Sequence, residues 1–253
     1  MKNQEFSIPC HGIRLHAKLD FPREEKEQYP LVIIIHGVTG HMEERHIVEE
    51  ARDLNEAGYA TLRAELYGHG KSEGSFHDHT MLLWLQELLE IVDYAGRLPF
   101  SGHLYLTGHS QGGAAAVLAA AMKQDQLRAV ILQAPALVLR DDALRGSLFG
   151  DPFDPSWVPD EMLIGEEPVS GNYIRVNQML PFEEAVRRFE KPVLIIHGDA
   201  DETVPYSYAE QLEKQYARAQ LVTLPGDNHV FDFQLEMVTA AMREFLDRME
   251  KSL

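Results

Sequence analysis

The sequence predicts an α/β fold: a mostly parallel central sheet flanked by helices, with one small insertion. Three observations predict it. Short β-rich apolar runs alternate with longer amphipathic stretches, the pattern of strands joined by crossover helices. One such run, Leu31 to Ile35, is apolar at every position, as a strand covered on both faces must be. A third stretch, residues 137–180, interrupts the rhythm with Pro, Gly, Asp and aromatic residues and no clean period.

Taken in order, Glu5 to Ile8 and Ile13 to Leu19 alternate and suit an antiparallel start to the sheet. The buried run Leu31 to Ile35 closes at His36-Gly37. Glu43 to Ala57 reads as a helix stopped by Gly58. Tyr59 to Leu66 is the next strand and runs into Gly68-His69-Gly70. Thr80 to Gly96 is a long helix with an apolar stripe through Leu82, Leu85, Leu88, Leu89 and Val92. His103 to Thr107 is a strand, and the Ala-rich helix Gln111 to Lys123 follows it closely. Arg128 to Leu132, Pro192 to Ile196 and Gln220 to Leu224 complete the strands, with helices at Tyr206 to Ala217 and Phe233 to Lys251. The 253 residues suit a single domain. An unperiodic segment as long as 137–180 inside a compact domain reads as a lid insertion over a site, not a second domain.

Composition narrows the function classes. A formal net charge of −17 opposes binding to nucleic acid or to an anionic membrane surface. No stretch approaches the roughly 18 apolar residues of a membrane span. The polar start, Met1 to Cys10, lacks the pattern of a signal peptide, and the single cysteine excludes an intrachain disulfide. These features suit a cytoplasmic protein. The sequence carries no P-loop and no dinucleotide fingerprint, so no cofactor is expected. His77-Asp78-His79 lacks a third ligand at supporting spacing, so no metal is expected either. The implied partner is a small molecule, and a homodimer stays open.

The chemistry centres on Gly108-His109-Ser110-Gln111-Gly112. Gly-x-Ser-x-Gly alone is a weak pattern. Here an apolar strand precedes it and a small-residue helix follows, the setting of a nucleophile elbow. The competing reading is a serine that only caps a helix. Ser110 needs a base, and the base an orienting acid, in the chain order Ser, Asp or Glu, His. Two histidines follow Ser110, His197 and His229. His229 lies in the loop after the last strand, which returns to the sheet edge where Ser110 sits. His197 closes a strand before Gly198 and reads as structural. The acid is expected after Pro192 to Ile196. There Asp201 is preferred over Asp199, which suits a turn of its own, and over Glu202, which suits a helix start. Asp227 lies too close in sequence to His229 to reach its far nitrogen. The oxyanion donors expected are the backbone N–H groups of Gln111, after the nucleophile, and of Val38, after His36-Gly37.

The set strand-His36-Gly37, Gly68-His69-Gly70, Gly108 to Gly113, His197-Gly198-x-x-Asp201-x-x-Val204-Pro205 and Asn228-His229 resembles the α/β-hydrolase fold. Within it the chain is similar to the bacterial cinnamoyl (feruloyl) esterases. That likeness rests on Arg63-x-x-x-Tyr67-Gly68-His69-Gly70-x-Ser72-x-Gly74, Ala134-Pro135-Ala136, Asp142-Ala143-Leu144-x-Gly146 and Tyr173-x-Arg175-x-x-Gln178-x-Leu180-Pro181. The resemblance implies a serine carboxylic-ester hydrolase that releases hydroxycinnamic acids through an acyl-serine. It implies that the insertion holds the aromatic acid, with Asp142 on the ring hydroxyl and Tyr173 nearby. Phe149 stands where some members carry a glutamine that also meets the phenol. Trp157, beside Phe153 and Pro155, either lines the pocket or fills the insertion's own core. Three rivals share these residues: a lipid- or peptide-type hydrolase, an acyltransferase, and a non-catalytic binding protein of the same fold.

Overall fold

The computed structural model describes residues 3–252. The chain opens with an antiparallel pair, β1 (Gln4–Cys10) and β2 (Ile13–Asp20), then β3 (Tyr29–Ile35), α1 (Arg45–Glu56), β4 (Ala60–Ala64) and α2 (Met81–Arg97). It continues through β5 (Ser101–His109), α3 (Gln111–Met122) and β6 (Leu127–Gln133). Residues 137–180 are then not a bare loop. They form α4 (Val138–Arg145), a minimal hairpin of β7 (Ser147–Leu148) and β8 (Asp151–Pro152), a second of β9 (Glu161–Ile164) and β10 (Glu167–Ser170), and α5 (Gly171–Asn177). A further helix, α6 (Phe182–Arg188), leads to β11 (Val193–Gly198), α7 (Ser207–Gln215), β12 (Ala219–Leu224) and α8 (Leu235–Lys251).

One eight-stranded sheet has the order β1-β2-β4-β3-β5-β6-β11-β12. β1, β2 and β4 pair antiparallel, and every pairing from β4 onward is parallel. The period of two along β3 sorts its side chains between two cores. Leu31, Ile33 and Ile35 pack with the α2 and α3 side, where Trp84, Leu88 and Ala114 to Ala120 lie. Val32 and Ile34 pack with α1 and α8, through Ile47, Leu54, Val238 and Met242. This two-sided burial is why the run is apolar at every position. Each large aliphatic side chain so removed from water stabilises the fold by about 1.5–3 kcal/mol. Helix α3 has Gly and Ala where most helices carry bulk, and it is buried from Gln111 through Ala120. Helix α2 starts at Thr80, whose Oγ1 accepts from the Leu83 N–H at 3.3 Å.

The insertion has a small core of its own, built from Ala143, Leu148, Ile164, Val169, Tyr173 and Ile174, with Val38 and Phe76 of the main body packed against it. One boundary moves the reading of a candidate. Helix α7 begins at Ser207, after Pro205, so Glu202 lies in the preceding loop and not at a helix start.

Candidate active site

Strand β5 runs into α3 through a turn of one residue. Ser110 has φ 55° and ψ −119°, a conformation that L-residues rarely adopt. The glycines around it are sterically required. A Cβ on Gly108 would stand 2.3 Å from the Gly112 carbonyl oxygen, and one on Gly112 would stand 2.3 Å from that of His36. The elbow is held from below, because the Ser110 N–H donates to the Gln133 carbonyl at 2.9 Å. The Gln133 side chain donates in turn to Thr107 Oγ1 at 2.9 Å and to Glu50 Oε2 at 3.0 Å.

At the sheet's C-terminal edge, three predicted residues meet. Ser110 Oγ lies 2.9 Å from His229 Nε2, and His229 Nδ1 lies 2.7 Å from Asp201 Oδ2. A carboxylate only accepts, so Nδ1 carries the proton and Nε2 is free to receive one from Ser110. Asp201 is fixed on all sides. Its Oδ1 accepts from the Thr203 and Val204 N–H groups, both at 2.8 Å, and its Oδ2 accepts a second imidazole, His197 Nε2, at 3.1 Å. Burial works to raise the Asp201 pKa, but the hydrogen bonds from His197, His229 and Val204 outweigh it and hold the carboxyl well below its ordinary value. The competing carboxylates are occupied elsewhere. Asp199 Oδ1 accepts from the Gly226 N–H at 2.6 Å. Asp227 accepts from the N–H groups of Asn228, Phe233 and Gln234, at 2.9, 3.2 and 2.9 Å, and so shapes the histidine loop.

His109 is a supporting residue that the sequence reading passed over. Its Nε2 donates to the His229 backbone carbonyl at 2.8 Å and its ring lies 4.8 Å from that of His229. Burial, with His46 and His229 close by, lowers its pKa well below the ordinary range, so the ring stays neutral. Its position inside the motif was visible, but its partner 120 residues away was not. The same holds for His197, which the sequence placed as structural and which the structure sets on the acid.

Val38 and Gln111 both flank Ser110. Val38 lines the cleft with it, and Gln111 opens α3, where the first N–H groups have no intrahelical acceptor. Two cavities meet at Ser110, sharing Val38, Phe149 and Thr203. The larger, about 450 Å³, runs between the insertion and the β11–α7 loop, past Ala136, Leu139 and Leu148 to Asp142. Asp142 is ion-paired with Arg145 one turn later on α4. Phe149, at φ 49°, stands between the two cavities.

Two predicted residues fall elsewhere. Tyr173 is fully buried in the insertion's core, and its hydroxyl donates to Gln111 Oε1 at 2.6 Å, so it ties the insertion to α3 and is not open to the cleft. Trp157 is 80% exposed. It ends a tight turn in which its N–H donates to the Asp154 carbonyl, while Phe153 takes the place against the insertion's core. Among the described residues no group of three or more His, Cys, Asp or Glu is arranged to hold a metal ion, and no helix is long and apolar enough to cross a membrane.

Comparison with known proteins bears on the family and the fold. A family model described as serine aminopeptidase, S33, matches residues 26–153, and one described as TAP-like protein matches residues 165–251. Among curated relatives, the rat lysophosphatidylserine lipase ABHD12 is 23% identical over 88% of this chain, and the bifunctional esterase/perhydrolase DCH of Acinetobacter calcoaceticus is 25% identical over 68%. The chain spans 57% of the length of that lipase and 75% of DCH. The solved structure of Est1E from Butyrivibrio proteoclasticus with ferulic acid bound is 49% identical, with a TM-score of 0.96, over 98% of this chain and 100% of that one. A second Est1E structure is 46% identical, with a TM-score of 0.92, over 98% and 99%. Mouse alpha/beta hydrolase domain-containing protein 10, at 19% identity and a TM-score of 0.78 over 97% and 99%, shares the fold. The chain belongs to the α/β-hydrolase superfamily, in its cinnamoyl/feruloyl esterase family, and is a serine ester hydrolase.

Proposed function

We propose that Ser110, His229 and Asp201 hydrolyse esters of hydroxycinnamic acids in two steps, with the acid seated in the larger cavity. The observation that carries this is the unbroken hydrogen-bond chain Asp201–His229–Ser110 opening into a cavity with a carboxylate along it. His229 Nε2 takes the Ser110 proton as Oγ bonds to the ester carbonyl carbon. The N–H groups of Val38 and Gln111 receive the charge that develops on the carbonyl oxygen. His229 then returns the proton to the departing alkoxide, leaving an acyl-serine. Water attacks that acyl group, giving its proton to His229 and releasing the acid, and Ser110 regains its proton. Asp201 keeps the ring in the working tautomer and stabilises its protonated form.

Residues 137–180 act as the lid over the acyl group. The planar aromatic acid suits walls of Leu139, Leu148 and Phe149, and Asp142 accepts from a ring hydroxyl. Ferulic acid is the molecule bound in the Est1E structure, which supports that choice of acyl group. The single cysteine, Cys10, is a buried free thiol, which suits a cytoplasmic setting.

The test is an ester panel: methyl ferulate, methyl p-coumarate and chlorogenate against short aliphatic p-nitrophenyl esters. The expected result is a higher kcat/KM for the hydroxycinnamates, lost in Ser110→Ala. Turnover of the aliphatic esters alone would overturn the acyl assignment. Failure of a fluorophosphonate probe to label Ser110 would overturn the mechanism.

A further inference from the structure

The cavities that meet at Ser110 are unequal in more than size. A leaving alkoxide must take its proton from His229 Nε2, so the alcohol part of the ester has to lie on the histidine's side of the nucleophile. His229 lines the smaller cavity and is absent from the lining of the larger one. The smaller cavity, about 290 Å³, has room for about ten water-sized groups. It is therefore built for an alcohol well beyond methyl. Val230 borders it on the histidine loop and Ile164 on the insertion.

The charges differ as well. In the larger cavity Asp142 is ion-paired with Arg145, and the remaining carboxylate, Glu202, lies on the exposed β11–α7 loop. In the smaller one, Glu44 is the single carboxylate among the lining residues, and no Lys or Arg lines it. Glu44 is half-buried just before α1, and its Oε2 is buried without a hydrogen-bond partner close to Gly40. Burial raises the Glu44 pKa above its ordinary value, while the His41 backbone and ring work to lower it; of the groups that face it, the buried Glu50 included, none is a fixed cation. The surrounding molecule adds to that field, with a formal net charge of −17.

We propose that the smaller cavity is the alcohol subsite and that Glu44 selects there for neutral or cationic leaving alcohols against anionic ones. This rests on the ester-hydrolase reading of Ser110 and His229. A carboxylate on the alcohol would enter a pocket holding an uncompensated negative charge. A hydroxyl or ammonium group would meet an acceptor instead.

Chlorogenate and its methyl ester test this directly. Both present the same caffeoyl group and the same ring alcohol, and they differ in one negative charge on the alcohol. The readout is the kcat/KM for caffeate release. The wild-type protein is expected to favour the methyl ester by about tenfold, the size of a partly screened like-charge contact. In Glu44→Gln that preference is expected to shrink by about threefold or more. A role for Glu44 that was only structural would lower both rates together and leave their ratio unchanged. A second variant leaves the charge in place: Val230→Trp fills the subsite from an exposed position. It is expected to lower the rate on methyl chlorogenate about tenfold relative to methyl caffeate.

Equal wild-type rates on the charged and uncharged esters, or a preference unmoved by Glu44→Gln, would overturn the charge selection. An unchanged ratio in Val230→Trp would overturn the placement of the alcohol. Ser110→Ala separates these from failure of the underlying reading. If it releases caffeate at the wild-type rate, the hydrolase mechanism itself falls.

Discussion

The sheet edge and the insertion above it are built on opposite principles. At the edge, each reacting group has several fixed partners. Asp201 alone accepts four hydrogen bonds, two from backbone and two from imidazoles. In the insertion, the corresponding carboxylate, Asp142, has one partner, and that partner is on its own short helix. The edge is anchored in cores that span the sheet, whereas the insertion closes over a core of six buried residues. The contrast teaches how selectivity and chemistry are kept apart. Proton transfer needs atoms fixed to fractions of an ångström, so its residues hang from strands and a strained turn. The acyl recognition proposed for the insertion rests instead on the part of the fold with the smallest core.

Substitutions can break this comparison. The largest effect is expected from Asp201→Asn. It should lower kcat by about 10³–10⁴ for every ester alike, because the ring loses its tautomer control. A loss confined to hydroxycinnamates would show that the edge also selects the acyl group.

Glu50→Gln comes next. Glu50 is fully buried, and desolvation, with Glu44 nearby, outweighs the Gln133 hydrogen bond and pushes its pKa up to about 8. A folded-state pKa above the unfolded one means the folded protein holds that proton more tightly. Stability is then full below about pH 4.5 and is lost as pH rises toward 8. The neutral amide removes the dependence. Glu50→Gln should therefore be more stable than wild type at pH 8, by on the order of 4 kcal/mol, and unfold at a higher temperature there, with the gap closing near pH 5. A gap independent of pH would mean that Glu50 stays charged beneath the elbow.

Asp142→Ala should act on selectivity alone. The ratio of kcat/KM for methyl p-coumarate over methyl cinnamate should drop about tenfold, while short aliphatic esters change little. An unchanged ratio would remove Asp142 from ring recognition. The smallest effect is expected for Tyr173→Phe, which cuts the hydroxyl tie between insertion and α3. A fall in kcat of about threefold would sharpen the comparison by measuring how far the two regions communicate. A kcat equal to wild type would make them independent.

The edge was legible in the sequence because its constraints are local. Leu31 to Ile35 and the glycines around Ser110 each leave a mark within a few residues, and Asp201 and His229 each sit in a loop that the strand just before it announces. The helices of the insertion were not legible, because α4 and α5 run eight and seven residues and are too short to repeat an apolar stripe. Tyr173 and Trp157 were hard to separate for the same reason. Both are large aromatic residues in an unperiodic segment, yet one is sealed in the insertion's core and the other lies in water. His109 and His197 were in view, but their partners come from the folded sheet, not from the motif. The helix α6 carried no reading at all, as seven residues after a proline give little pattern.

The backbone at Ser110 also limits what this protein can become. At φ 55° a β-branched side chain meets its own carbonyl, so a threonine nucleophile has no comfortable place in the turn. Gly108 and Gly112 admit no substituent on either side. A library that varies this turn to reach new chemistry will keep only small, unbranched residues at position 110. The variation that survives will gather in the insertion, so descendants of this chain would change their substrates far more readily than their nucleophile.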